Sequence, residues 1–380
     1  MKQLDADKLE QNITRTVTED LRANRVGGVE VKVWQDNAPR FEGLFGEKSP
    51  GVPLGPGALF RIASMTKPVT AVAFLTEVAR GRLRLNDRLA DYLPAYGRMQ
   101  IAKETADGVR IVGESKTEIL LWHLLTHVSG IGCDFLGARL FNELPAEKKR
   151  TLRTVTDAFA ELPLSFEPMT GAKYSATAAF DCCARVIELV SGQSFGDYVR
   201  ENIFVPLGMT DTTFEPSPAG WERMVSMFDV DADGKPCLGK TVPDCVFGDL
   251  PVSYHCAGGG LVSTAADYLR FAQMLLNDGK TPSGEQLLPP EILRLMKQPY
   301  TPVRLTGRAE SWGLGVRVII GRRGTLPKGS FGWSGAFGTH FWVDPKNRIV
   351  AIYMRNGLNS GGAGCETAVR FEKDVMASFV

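Results

Sequence analysis

The sequence has no apolar run near the ~18 residues that a membrane-crossing helix needs, so no membrane partner is expected. The stretch from Met1 to Gly28, MKQLDADKLEQNITRTVTEDLRANRVGG, lacks the apolar core of a secretory leader, and the chain is read as cytoplasmic. Charge of one sign is missing too. Forty-four basic against 43 acidic side chains leave a net charge of +1, which gives no field for holding nucleic acid. The basic EKKR at Glu147–Arg150 reads as a solvated helix face. Disulfide and zinc patterns are absent. The 7 cysteines are odd in number, irregular in spacing and without a C-x-x-C pair. Cys182 and Cys183 sit together in an apolar helical pattern, so buried reduced thiols are expected. There is no internal repeat and no low-complexity linker.

What is present is an ordinary globular composition, 44% hydrophobic and 23% charged. A chain of 380 residues exceeds one simple core and suits two closely joined lobes. Leu9, Ile13 and Val17 recur every four residues, which predicts an amphipathic first helix. VEVKVWQD (Val29–Asp36) and RFEGLFGE (Arg40–Glu47) read as a hairpin across the turn NAP. Residues 85–209 read as mostly helical, with EILLWHLLTH and AFDCCARVIELVSG as examples. GGGLVSTAADYLRFAQMLLNDG predicts a loop and then a helix capped by Ser263 or Thr264, with Asp267 as a capping-box acid and Gly279 as terminator. Strand signals follow in WGLGVRVII, GSFGWSG, THFWVDP and RIVAIYM, and a last helix runs from about Cys365 to Phe379. The expectation is α/β plus all-α. Residues 1–84 and 210–380 form an antiparallel-sheet α/β sandwich lobe, residues 85–209 form an inserted helical lobe, and the site lies in the cleft between them.

The stretch FRIASMTKPVTA (Phe60–Ala71) carries the chemistry. Pro68 lacks an N–H and is tolerated in a helix only within the first turn, so a helix should begin close to Ser64. Lys67 then lies one turn along on the same face. A serine hydroxyl needs a base to become a nucleophile, and a lysine beside it can act as that base or hold a neighbouring anion. The helix mouth adds N–H groups and partial positive charge for an oxyanion. An S-x-x-K tetrad is expected about once by chance in a chain of this length, so two further segments matter. AKYSATAAF sets Tyr174 just ahead of a helix. SFGWSGAFGTHFWVDP is a glycine-broken strand, a sign of close backbone approach.

With these segments the chain resembles the class C branch of the penicillin-recognising serine enzymes: cephalosporinase-type β-lactamases and the carboxylesterases, D-amino-acid peptidases and amidases similar to them. The resemblance covers about residues 10–355 and includes LLWHLLTHVSGI, ENIFVPLGMTDTTF and GGGLVSTAADYLRF. It implies that Ser64 is the acylated serine, Lys67 the motif lysine, and Tyr174 the base and acid. Trp333-Ser334-Gly335 falls at the third motif, and the N–H groups of Ser64 and Ala336 would form the oxyanion hole. Phe337 and His255 are further candidates to line the substrate cleft, and His340 lies near it. The resemblance implies no cofactor and no metal. It implies one partner, a small-molecule ester or amide, and leaves the oligomeric state open.

Two departures bear on substrate. Ala176 stands where β-lactamases carry asparagine, and Trp333 replaces the third-motif lysine that helps hold a carboxylate. An indole suits an apolar acyl or alcohol group. The expectation is therefore a carboxylesterase working through an acyl-enzyme on Ser64. A D-amino-acid amidase or peptidase, a weak β-lactamase or an acyltransferase on the same site are the alternatives. Other motifs read as decoys. GKPCLGKT (Gly234–Thr241) has no buried strand before it and a proline where a helix should follow. DVDADG (Asp229–Gly234) reads as a polar hairpin turn rather than a calcium loop. His123 and His127 read as framework packing rather than metal ligands, and Trp312 as pocket wall or core.

Overall fold

Helix α1 (Ala6–Arg22) starts at Asp5, whose side chain accepts from the Lys8 N–H, a standard way to satisfy an orphan donor. Its buried stripe is Leu9, Ile13, Thr16 and Val17, the fourfold spacing read from the sequence. The computed structural model describes residues 2–106, 108–133, 143, 145–239, 253–306, 309–321, 324–358 and 364–380.

The strands are β1 (Gly28–Gln35), β2 (Ala38–Ser49), β3 (Val52–Pro53), β4 (Glu310–Trp312), β5 (Arg317–Ile319), β6 (Phe331–Ser334), β7 (His340–Asp344) and β8 (Ile349–Met354). They form one eight-stranded sheet in the order β4-β5-β6-β7-β8-β1-β2-β3. Each adjacent pair is antiparallel, and β1 joins the two ends of the sequence by pairing with β8 on one side and β2 on the other. One face carries Val29, Val31, Val33, Trp342, Ala351 and Tyr353 under α1 and the last helix, Glu366–Ala377. The other face carries Phe331, Trp333, Phe341, Val343, Val350 and Ile352. That face belongs to one continuous core with helices α2 (Thr66–Ala79), α3 (Ala178–Ser191) and α4 (Ala265–Leu276). The fold is thus the expected α/β sandwich built on an antiparallel sheet.

Several local expectations shift. Thr264 caps α4 and accepts from the Asp267 N–H at 3.1 Å. Asp267 is no capping-box acid, because its carboxylate accepts from the Asp211 N–H at 2.8 Å and the Thr212 hydroxyl at 3.0 Å. The region read as mostly helical also holds a hairpin, Gln100–Thr105 against Gly108–Glu114. Both strands are largely exposed, so they lack the apolar alternation that would mark them in sequence. EILLWHLLTH is helical only over Leu121–Leu125. DVDADG forms the turn of a hairpin, Phe228–Val230 against Pro236–Leu238. There the Asp231 carboxylate accepts the Asp233 and Lys235 N–H groups, both at 2.9 Å. Lys240 and Thr241, the end of the GKPCLGKT motif, lie outside the described residues. Among the described residues no helix is long and apolar enough to cross a membrane.

Candidate active site

Phe60–Arg61 pairs with Val262–Ser263, a 3₁₀ turn covers Ala63–Met65, and α2 follows at Thr66. Pro68 falls in the first turn of α2, where a missing N–H breaks no helical bond. Every residue from Thr66 to Glu77 is buried, and Ser64 is half-buried between buried Ala63 and Met65. Ala63 has φ +43. A residue with a side chain enters that region at a cost of about 1–3 kcal/mol, so the backbone is strained just ahead of Ser64.

Three groups meet at the helix mouth. The Tyr174 hydroxyl lies 2.7 Å from Ser64 Oγ, and Lys67 Nζ lies 3.3 Å from the same oxygen. Lys67 is fully buried. Its ammonium also donates to the carbonyls of Ala176 at 2.5 Å and Gly258 at 2.7 Å. It stands 4.7 Å from the centre of the Tyr174 ring and 5.4 Å from that of Phe180, both within reach of a cation–π attraction. Among the described residues no carboxylate pairs with it. A Cβ on Gly258 would come within 2.6 Å of the Ala176 carbonyl, so this close approach of the two carbonyl-bearing segments requires glycine. Ser175 is buried, its hydroxyl accepting the Ala179 N–H at 3.1 Å at the start of α3. Ala176, which the resemblance sets against the β-lactamase asparagine, is exposed.

Strand β6 brings the third motif alongside. A Cβ on Gly335 would lie 2.4 Å from the Ile62 carbonyl, and the Thr339 hydroxyl donates to that carbonyl at 3.1 Å. The β6–β7 turn, with exposed Ala336 and half-buried Phe337, is thereby tied two residues ahead of Ser64. Strand alternation separates Trp333 from Ser334. The Trp333 ring faces the site, 6.1 Å from Tyr174 and 5.8 Å from His127. The Ser334 hydroxyl faces the opposite layer, 2.8 Å from His340 Nδ1; His340 Nε2 lies 3.1 Å from Glu372, which Arg317 also reaches at 3.0 Å. Burial raises the Glu372 carboxyl, but the His340 hydrogen bond and the charges of His340 and Arg317 outweigh it and leave it lowered. His340 therefore braces the back of β6 rather than the cleft.

His127 is fully buried with φ +57, beyond the end of its helix. It is thus not on one helix face with His123. Each uses Nδ1 to accept a backbone N–H: Ser175 at 3.2 Å for His127 and Leu120 at 3.1 Å for His123. Burial lowers both imidazoles, His123 to about 4, and the charge of Lys67 adds to the lowering at His127. The His127 ring lies 4.8 Å from both Tyr174 and Trp312, so His127, read from the sequence as framework packing, is the hub of an aromatic wall. His255 is placed elsewhere. It stacks on Phe214 and bonds Glu215 at 2.7 Å, and neither partner belongs to the Ser64 group. A separate cavity of about 430 Å³, lined by residues such as Leu21, Phe228 and Leu238, shares no residue with the constellation.

Sequence reading also missed Asp181, on α3. It is fully buried, and burial pushes its carboxyl up to about 7 against hydrogen bonds from Tyr254 and the Ala257 N–H. An acid among Phe180, Cys182, Cys183 and Ala184 was the available signal, because an acid is almost never fully buried unless paired.

The arrangement can deliver a serine hydroxyl to a carbonyl beside a phenol and an amine, with aromatic surface for the rest of the substrate. Comparison with known proteins gives the family. The Beta-lactamase family matches residues 13–371. An uncharacterized protein of Mycobacterium tuberculosis is 31% identical over 364 residues, 89% of this chain and 88% of its own. Esterase EstB of Burkholderia gladioli is 28% identical over 393 residues, 95% of this chain and 94% of its own. Among solved structures, EstCE1, described as a hydrolase with promiscuous acyltransferase activity, superposes with a TM-score of 0.80 at 22% identity, covering 98% of this chain and 99% of its own.

Proposed function

The chain belongs to the Beta-lactamase family of serine hydrolases, and from that premise we propose that it cleaves carboxylic esters through an acyl-enzyme on Ser64. The observation that carries the reading is the Ser64 hydroxyl held between the Tyr174 phenol and the Lys67 ammonium at a strained, half-open helix mouth. In the proposed cycle Ser64 Oγ attacks the ester carbonyl as its proton passes to the Lys67–Tyr174 pair. The oxyanion is received by the N–H groups of Ser64 and Ala336, which the tie between Gly335 and Ile62 draws together. Tyr174 returns the proton to the leaving alcohol, and a water then takes the place of Ser64 Oγ at the acyl carbon by the reverse path.

Substrate class follows from the wall. Trp333, His127, Trp312 and Tyr174 form an aromatic group, and His127 is held neutral by burial. Such a surface favours apolar acyl or alcohol groups over a carboxylate. The likeness to EstB, named an esterase, supports the same reading. Acyl transfer to an alcohol is the second reading, favoured by the fold match to a hydrolase with acyltransferase activity and by rings that limit water. We place the lobe division at residues 84/85 and 209/210, with the substrate in the cleft between. Purified protein should turn over short p-nitrophenyl esters, and Ser64→Ala should lose about 10³-fold or more. Turnover that survives in Ser64→Ala contradicts the proposal. Transfer to added alcohol that outruns hydrolysis selects the second reading.

A further inference from the structure

Asp181 stands behind Lys67, separated from it by two peptide units. One carboxylate oxygen accepts the Ala257 N–H at 2.9 Å, the other accepts the Tyr254 hydroxyl, and the Gly258 N–H bonds the same group. Asp181 thus holds the Cys256–Ala257 and Ala257–Gly258 peptides, and the carbonyls of the second of these and of the next peptide point the other way. Ala257 O accepts from the Thr70 hydroxyl at 2.8 Å, and Gly258 O accepts from Lys67 Nζ at 2.7 Å.

The groups that face these two charges from the surrounding elements are neutral near pH 7. Burial raises Tyr254 and Cys256 on the neighbouring segment, Tyr96 on the turn below, and Cys182 and Cys183 on α3 itself. Burial lowers His127, beside Lys67. Tyr174, the reacting partner, completes the shell. Lys67 and, above about pH 7, the Asp181 carboxylate are then the two charges that act on one another here, and the pull of Lys67 is among the causes that favour the ionised carboxylate.

We propose that Asp181 is a positioning residue for acylation at Ser64: through Ala257–Gly258 it fixes Lys67 against Ser64 and Tyr174, and its carboxylate is the counter-charge that retains the proton of the Lys67–Tyr174 pair. The inference rests on the Ser64 acyl-enzyme reading above. The reactive pair carries one proton fewer than its resting acid form, whichever group gives it up. A negative charge nearby keeps that proton on to higher pH, so its removal moves the acid limb of the rate profile down. A purely structural loss slows the reaction by the same factor at every pH.

The test is the rate at which a fluorophosphonate labels Ser64 in the full chain, followed by intact mass from about pH 5 to 9. Asp181→Asn should label more slowly overall, with its acid limb lowered by about half a unit or more. Because the carboxylate is charged above about pH 7, the change is read there, and the ratio of rates at about pH 7.5 and 9 should rise by up to about threefold. Asp181→Glu should bring the limb back toward that of the native chain. Tyr254→Phe removes one donor to the carboxylate and should move the limb the same way by less, and this variant carries the test if Asp181→Asn does not fold. A limb that stays in place in the folded variant overturns the proposal, whatever the absolute rate. A native chain that never labels at Ser64 overturns the acyl-enzyme reading itself, and a chain that labels with a limb indifferent to Asp181 overturns this proposal alone.

Discussion

The two ends of α2 each bury a charge completely, Lys67 near the start and Glu77 near the finish, and they treat it in opposite ways. Glu77 is saturated by direct partners: the Tyr198 hydroxyl, Arg80 at 3.1 Å and Arg82 at 2.7 Å. Burial alone would raise its carboxyl. The hydrogen bonds from Arg82 and Tyr198, with the charges of Arg82 and Arg80, outweigh that and leave it lowered. Lys67 receives two neutral carbonyls, a hydroxyl and two ring faces, with its counter-charge a loop away. A buried charge with ionic partners is locked, and one with neutral partners keeps a proton available. The same helix thus carries a fastening at one end and, in the proposed reading, a reactive group at the other.

The contrast breaks first at Lys67. Lys67→Met should lower ester turnover about 10³-fold, while the melting temperature stays level or rises, because an apolar side chain relieves a buried charge. A sharp loss of stability with modest loss of rate would make Lys67 structural. Gly258→Ala comes next. Its Cβ would sit 2.6 Å from the Ala176 carbonyl, so the two acceptors of Lys67 must part, and kcat should fall about 10- to 100-fold.

Glu77→Gln sharpens the other end. Loss of the buried anion should cost about 3 kcal/mol in urea unfolding, with kcat within about twofold. Because the folded carboxyl lies below its ordinary value, the stabilisation is present above the unfolded value and lost as pH falls through the folded one. The gap between native chain and variant should therefore close below about pH 4. The smallest effect concerns Asp181, raised to about 7. A raised acid contributes stability that is fully present below its unfolded value and lost as pH rises through the folded one. The native chain's melting temperature should fall relative to that of Asp181→Asn between about pH 4 and 7.

Local geometry explains what was legible in the sequence. Ser64 and Lys67 share a helix face by spacing, and Pro68 fixes where that helix starts, so their meeting needed no tertiary information. Tyr174 came only through its motif, because it reaches Ser64 across 110 residues. Asp181 and Gly258 act through a contact between distant segments that no spacing rule displays. The pairing of Trp333 with Ser334 as cleft residues was avoidable, since neighbours on a strand point to opposite faces. His127 was read on a helix face because nothing in HLLTH announces a left-handed residue. The buried central strands of the sheet were readable from their apolar runs; β3, the separation of β4 from β5 and the exposed hairpin at 100–114 were not.

The central claim is that Ser64 is the group that becomes acylated. Intact and peptide mass spectrometry after brief exposure to an activated p-nitrophenyl ester tests it most directly. The account predicts a single acyl adduct on the peptide that contains Ser64, absent in Ser64→Ala and slow to form in Lys67→Met. Rapid ester turnover with the adduct on another residue, or an adduct that persists in Ser64→Ala, would contradict it.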